Sequence, residues 1–271
     1  MADIGSGRGV ESNGAQSTDA QRVGTQRDGE GEALPTLVCL HGYGVRGWMW
    51  QWLAHELAAY GLSVETPDLE MSSIEKLMAS TKSFVQELAR RREGAVCLLG
   101  HSLGGVAAAT VARDLGPQVV ERVAILSSPY GTQENLPGPL MQFLLQHQLL
   151  PDFLVRPNFF SAKTPKMRQK HIFANAVSES DALRETIFTP TWFHTDTFTE
   201  ALPQRSIAVA SEADRVVPFH QTRAFAEALG ARLVRFEASR RVGHDDLFAA
   251  PEIVGELGGI LGPFMTERAR S

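Results

Sequence analysis

The feature that most constrains this chain is a set of short apolar runs with no polar face, repeated between helix-length segments. Thr36-Leu37-Val38-Cys39-Leu40, ended by His41-Gly42, is the first of them. A run of this length that is apolar at every position belongs to a strand covered on both sides, because a half-exposed strand alternates. Further strand-like runs, some of mixed composition, fall at 62–66, 95–99, 120–126, 206–210 and 232–236. Amphipathic, helix-length segments separate them at 48–60, 74–91, 103–115, 220–229 and 247–264. Alternation of this kind predicts an α/β fold: a mostly parallel sheet of about six strands with helices on both faces. Cys39 and Cys97 fall inside two of the runs, where a thiol acts as a small buried hydrophobe, so both are expected to be reduced core residues.

The pattern fails in two places. Residues 1–33 are rich in Gly, Ser, Gln, Asp and Arg and offer few apolar contacts, which predicts a disordered tail ahead of a single domain over 34–271. Between 130 and 202 no strand of comparable quality occurs; aromatic residues, Phe143 and Trp192 among them, sit in helix-like pieces broken by prolines. A connection this long with its own apolar content predicts an inserted helical lid.

Charge excludes some partners. With 26 Lys and Arg against 31 Asp and Glu, the formal net charge is −5, and no basic block is long enough to follow a phosphate backbone, so nucleic acid is not an expected partner. No apolar run reaches the roughly 18 residues that span a bilayer, and Met1-Ala2-Asp3-Ile4-Gly5 lacks the pattern of a secretory leader; a soluble, cytoplasmic protein without membrane contact is expected. No metal cluster and no cofactor fingerprint is visible, so none is expected.

Chemistry concentrates at Gly100-His101-Ser102-Leu103-Gly104, which follows a strand run and opens a helix. In that context the motif predicts a sharp turn in which Ser102 takes a positive φ, the glycines keep neighbouring backbone clear, and Oγ points off the sheet edge. A serine hydroxyl near neutral pH needs a base, and the base needs an orienting acid. His244, in the loop between the last strand and the C-terminal helix, lies where the base of such an arrangement falls. The weaker candidates are His55, His147, His171, His194 and His220. Asp214, at the carboxyl end of the run 206–210, is the expected acid, with Glu212 as its rival. Asp245 and Asp246 are read as caps of the C-terminal helix.

An oxyanion formed at Ser102 needs N–H donors. Leu103, at a helix N-terminus, supplies one backbone amide; the loop His41-Gly42-Tyr43-Gly44 supplies the second, from Tyr43 with Gly44 as the alternative. Gly42, Gly44, Trp48, His101, Phe143 and Trp192 are the candidate substrate contacts. Shaping the loop is the alternative role of His41 and Gly42, and Trp48, Trp50 and Trp52 are read as packing and pocket wall rather than chemistry.

Together Leu40-His41-Gly42-Tyr43-Gly44, Gly100-His101-Ser102-Leu103-Gly104-Gly105, Asp214-Arg215-Val216-Val217-Pro218 and Gly243-His244 resemble the α/β-hydrolase superfamily, from about Thr36 to the C-terminal helix. The resemblance implies eight strands, whereas this chain has no strand pair ahead of Thr36, so a sheet lacking the first two strands is expected. The chain also reads Asp68-Leu69-Glu70-Met71-Ser72-Ser73 where the family often carries D-x-x-G-x-G-x-S, which leaves the role of Asp68 open. A serine at position 102 argues against the dehalogenases and epoxide hydrolases of the superfamily, which use a carboxylate there. The resemblance implies an acyl-enzyme chemistry: hydrolysis of a small-molecule ester or thioester, free or presented by a carrier protein; the aromatic residues of the expected lid point to a hydrophobic or aromatic acyl group. Two alternatives stand beside it, an acyltransferase that hands the acyl group from a carrier thioester to a thiol, amine or alcohol, and a ligand-binding protein on the same fold without turnover.

Overall fold

The computed structural model describes residues 35–131, 152–187, 189, 198 and 200–267. The tail 1–33 and the candidates Phe143, Trp192, His147 and His194 lie outside them. In chain order the elements are β1 (Thr36–Leu40), a 3₁₀ turn at Gly47–Trp50, α1 (Gln51–Ala58), β2 (Ser63–Glu65), α2 (Ile74–Arg92), β3 (Val96–His101), α3 (Leu103–Leu115) and β4 (Val120–Leu126). There follow α4 (Asp152–Phe159), α5 (Lys166–Ala174), α6 (Asp181–Ile187), β5 (Arg205–Ser211), α7 (Phe219–Leu229), β6 (Arg232–Phe236), α8 (Asp246–Ala249) and α9 (Pro251–Thr266). The six strands form one sheet in the order β2-β1-β3-β4-β5-β6, and every pairing is parallel.

The period of two along the strands sorts their side chains onto two cores. Val38, Leu40, Leu98, Val123, Ile125 and Ala208 face one cluster, which α2, α3 and α7 complete with Leu77, Val85, Val106 and Phe225. Leu37, Cys39, Cys97, Leu99, Ala124 and Val209 face the other, covered by α1 and α9 through Leu53, Leu57, Leu257 and Leu261. A fully buried Leu or Phe contributes about 1.5–3 kcal/mol, which explains why strands with no polar face are tolerated. Cys39 and Cys97 are free thiols buried in the second cluster, and burial pushes both thiol pKa values up, that of Cys97 to about 12.

Two helices differ from the pattern in the sequence. The segment 48–60 starts as a 3₁₀ turn because Gly47 is pressed against the chain after β2: a Cβ there would stand 2.0 Å from the Thr66 carbonyl oxygen. The segment 247–264 divides into α8 and α9 at Ala250-Pro251. Ala250 is extended (φ −81°, ψ 119°), as a residue before proline prefers, and Pro251 starts the next helix at a position where its missing N–H costs nothing.

Candidate active site

The topology opens a crevice where the functional loops meet. From β1 the chain moves to one side to make β2, then crosses back to make β3 on the other side. The segments leaving the carboxyl ends of β1 and β3 therefore diverge, and in open parallel sheets such a switch point is where ligands bind. Ser102 stands there, at the end of β3. Its backbone is strained (φ 53°, ψ −123°), a conformation that costs about 1–3 kcal/mol and persists only where the surroundings enforce it. The Ser102 amide donates to the Leu126 carbonyl at 2.9 Å, continuing the β4 ladder, and its carbonyl accepts from Gly105 N–H at 3.0 Å. Close approach explains the flanking glycines: a Cβ on Gly100 would lie 2.2 Å from the Gly104 carbonyl oxygen, and one on Gly104 2.1 Å from that of Leu40.

His244 and Asp214 meet across two loops. The buried imidazole Nδ1 donates to Asp214 Oδ2 at 2.8 Å, and the other carboxylate oxygen accepts the amides of Val216 and Val217 at 2.8 and 2.9 Å. That fan of donors aims the carboxylate and leaves His244 Nε2 as the free ring nitrogen. Burial pulls the His244 pKa down, but the charge of Asp214 and its hydrogen bond outweigh burial, and the net direction is up. Glu212 turns away: it pairs with Arg235 at 2.9 Å and accepts Ala238 N–H at 2.9 Å.

Three buried imidazoles surround the crevice, each in a different setting. His101 donates Nε2–H to the His244 carbonyl oxygen at 3.1 Å, and its ring centre lies 4.4 Å from that of His244. Burial first, and the charge on His244 second, hold its pKa well below the usual histidine range, so it is neutral. His41 receives Leu69 N–H on Nε2 at 2.9 Å and donates Nδ1–H to Gly42 O at 2.8 Å, which fixes its neutral tautomer; burial lowers its pKa to about 4. His41 thus ties the loop after β1 to the segment after β2. Asp68 acts on the same seam, since its carboxylate accepts Gly47 N–H at 2.8 Å and starts the 3₁₀ turn. His55, His171 and His220 are exposed.

The insertion between β4 and β5 packs on this crevice at two points. On the base side, Asp246 is fully buried and accepts Gly243 N–H at 2.7 Å, Ser161 N–H at 3.1 Å and Thr164 Oγ1–H at 2.6 Å. Phe159 carbonyl oxygen accepts Asp245 N–H at 2.9 Å, and the Phe159 ring lies edge-on to His244 at 6.3 Å. On the other side, Val177 N–H donates to Gly44 O at 2.9 Å and Gly44 N–H donates to Glu179 Oε1 at 3.2 Å. Arg46 grips the same carboxylate with both terminal nitrogens, at 2.5 and 3.2 Å.

The capping role expected of Asp245 and Asp246 is not what the structure contains. Asp245 occupies the N-cap of α8, yet its backbone is helical there (φ −90°, ψ −5°) and its side chain makes no capping bond; Asp246 uses its carboxylate between the His244 loop and the insertion. A capping side chain needs an extended backbone to reach the first-turn amides. Burial first, and the Asp214 and Asp246 charges against the opposing pull of His244, raise the Asp245 pKa to about 7. His101, His244 and Asp245 bring one ligand atom each within 4.8 Å of one another, but the nitrogens that face protein are already bonded to the His244 carbonyl and Asp214.

The structure therefore gathers Gly42, Gly44, His101, Ser102, Asp214 and His244 at one sheet edge, with Tyr43 and Leu103 in the flanking loop and the first turn of α3. Trp48 packs edge-on against His171 of α5 at 5.3 Å, and Arg168 lies 4.4 Å over the Trp52 ring, so these indoles join α1 to the insertion. Arg46 and Glu179 were not singled out by sequence reasoning, and Asp246 was read there only as a helix cap. Their partners lie 133 and 82 positions away, a separation that leaves no local signal.

Known proteins give this arrangement a family. The Alpha/beta hydrolase family model matches residues 37–257, and the chain belongs to that family. Among curated relatives, the pimeloyl-[acyl-carrier protein] methyl ester esterase of Aliivibrio fischeri is 27% identical over 173 residues, which is 58% of this chain and 66% of that protein. Among solved structures, the fold matches an extracellular alpha/beta-hydrolase from a Paenibacillus species described as sharing structural and functional homology with tobacco salicylic acid binding protein 2 (TM-score 0.61, 18% identity, 86% of this chain and 100% of that one). It also matches the monoacylglycerol lipase of Paleococcus ferrophilus (TM-score 0.66, 19% identity, 87% and 96%). Among the described residues no helix is long and apolar enough to cross a membrane.

Proposed function

We propose that the chain hydrolyses a carboxylic ester through an acyl-enzyme on Ser102. The observation that carries this reading is a strained serine at the switch point, next in the chain to a His101 that hydrogen-bonds the His244 carbonyl, together with a buried His244 whose Nδ1 is held by Asp214 at 2.8 Å. In the reaction Ser102 Oγ attacks the ester carbonyl carbon while His244 Nε2 accepts the hydroxyl proton. Asp214 stabilises the resulting imidazolium. The tetrahedral oxyanion takes hydrogen bonds from the amides of Leu103, the first residue of α3, and Tyr43. Commitment of the Gly44 amide to Glu179 favours Tyr43 over its neighbour as the second donor. Collapse of the adduct breaks the C–O bond, and the leaving alkoxide receives the proton from His244; water, deprotonated by the same base, then releases the acid and restores Ser102.

The aromatic edge of Phe159 beside His244 supports an apolar group at the scissile ester. The curated relatives act on a methyl ester borne by an acyl-carrier protein, as their name states, which supports an ester presented by a carrier as one substrate class to be tried. The test is covalent. A fluorophosphonate is expected to add once, at Ser102, by intact-mass and peptide analysis, and Ser102→Ala and His244→Ala to lower kcat on aryl esters by about 10⁴ or more with the fold retained. Folded wild-type protein that takes no label, or a His244→Ala variant with ordinary turnover, overturns the reading.

A further inference from the structure

We infer that Glu179 is a positioning residue for the oxyanion site: it fixes the Tyr43-Gly44 peptide from the insertion so that the Tyr43 amide points into the crevice. The inference rests on the acyl-enzyme reading above and adds to it a residue that lies 77 positions beyond the serine, outside the strand loops. Gly44 has a positive φ (77°), and a Cβ there would meet the Val177 carbonyl oxygen only at an ordinary 3.8 Å, so backbone freedom rather than crowding calls for glycine at this position. A glycine in that region is not held by its own side chain. It must be held from outside.

The hold comes from both ends of the residue. Gly44 N–H donates to Glu179 Oε1 at 3.2 Å, and Gly44 C=O accepts Val177 N–H at 2.9 Å. The carboxylate is itself nearly inaccessible, with side-chain exposure of 2%, and is kept in place by the two-pronged Arg46 contact. The neighbouring residue faces the same segment: the charge of Arg184, paired with Asp181, acts on the Tyr43 phenol. Ser180 Oγ–H donates to Ser72 O at 2.6 Å and accepts Leu183 N–H at 3.1 Å, which fastens the segment to the chain after β2. Gly44 and Arg46 of the β1 loop are therefore both bonded to the segment that begins at Val177.

A donor amide works in catalysis only if it is aimed before the charge appears, because reorganisation at that moment raises the barrier. Losing one oxyanion donor outright costs about 10²–10³ in kcat, so misaiming one costs less. The experiment compares wild type, Glu179→Ala and Glu179→Gln. Each is titrated with diethyl p-nitrophenyl phosphate to count reactive serines, then assayed with p-nitrophenyl butyrate and inhibited with an alkyl trifluoromethyl ketone, whose adduct carries the oxyanion. Glu179→Ala is expected to lose about 10–100-fold in kcat per titrated site with KM within about threefold, and to lose trifluoromethyl ketone affinity by a similar factor. Glu179→Gln keeps an oxygen acceptor for Gly44 N–H and is expected to stay within about fivefold of wild type. A merely structural role would change the number of titratable sites or KM. The inference is overturned if kcat per site in Glu179→Ala is unchanged, if the loss lies in KM, or if Glu179→Gln falls as far as Glu179→Ala. Wild type that fails to titrate at Ser102 overturns the acyl-enzyme reading, and this inference with it.

Discussion

The insertion meets the crevice at two seams, and each is built on a carboxylate, but in opposite senses. At the His244 loop the carboxylate belongs to the sheet domain: Asp246 reaches out of the loop after β6 and takes donors from Ser161 and Thr164 of the insertion. At the Gly44 loop the carboxylate belongs to the insertion: Glu179 reaches in and takes a donor from the sheet domain. Asp246 is wholly buried and takes hydrogen bonds from two amides and a hydroxyl, whereas Glu179 shares its charge with Arg46, whose side chain is 26% exposed. The difference follows from what each loop must hold. His244 is already locked by Asp214, and its loop needs only a rigid floor. The Tyr43-Gly44 peptide has no such lock, and a charge-assisted contact from outside gives it direction.

The base-side seam can be broken by removing its carboxylate. Asp246→Ala leaves the amides of Gly243 and Ser161 and the Thr164 hydroxyl buried without a partner, and each orphaned donor costs about 1–3 kcal/mol, so a loss on the order of 3–5 kcal/mol is expected. For a domain of this size that is a fall in Tm on the order of 10 °C. Asp246→Asn keeps one acceptor oxygen and is expected to lose about half as much. Calorimetry on the three proteins measures it. An Asp246→Ala variant as stable as wild type would mean that the seam closes without this residue.

The contrast between the seams also marks how far the sequence is readable. The bounds of β1 and β4 agree with the apolar runs, because a strand covered on both faces carries its burial in its own residues. The Ser102 turn was legible for the same reason: strand, glycine spacing and helix are all local. Asp214 and His244 were legible from chain order at strand ends. Neither Glu179 nor Asp246 carries such a signal. The stretch Val177-Ser178-Glu179-Ser180-Asp181 reads as polar surface, and only the folding of the insertion onto the β1 loop turns its glutamate inward. His41 was a loop-shaping candidate in the sequence, and its two hydrogen bonds supply that role.

Between the two seams lies Asp245, which sharpens the account of the base. Its pKa is raised to about 7 by burial, with the charge of His244 opposing and those of Asp214 and Asp246 adding. Between about pH 4 and 7 the folded chain therefore binds a proton there that the unfolded chain has lost, so this group's contribution to stability disappears as pH rises through 7. Asp245→Asn is expected to be more stable than wild type above pH 7, on the order of 1–2 kcal/mol, with the gap closing towards pH 4. Activity follows a different group. The base must be neutral, and His244 titrates above the ordinary histidine value, so kcat/KM is expected to fall with acid from above about pH 6.5. Because Asp245 contributes to that elevation, Asp245→Asn is expected to move the acid limb to lower pH, the two groups titrating as a pair. Identical limbs in the two proteins would remove Asp245 from the electrostatics of the base.

The smallest effect belongs to Arg46, and it separates charge from geometry at the Gly44 seam. Arg46→Lys keeps a cation beside Glu179 but replaces the two-pronged contact by a single point charge. Partly exposed ion pairs contribute about 1 kcal/mol or less, so the change in Tm is expected to be within about 3 °C. If charge alone holds the carboxylate, kcat per titrated serine stays within about twofold of wild type; if the fork sets its angle towards Gly44, kcat falls by about three- to tenfold while KM is retained, on the rule that losing 1.4 kcal/mol of transition-state stabilisation costs a factor of ten. Among the described residues no cation pairs with Asp246 in the way that Arg46 pairs with Glu179. A kcat loss in Arg46→Lys without a stability loss, set against a stability loss in Asp246→Asn without a comparable kcat loss per folded site, would establish that one seam holds the fold and the other holds the peptide. Equal losses of both kinds at the two seams would erase the distinction.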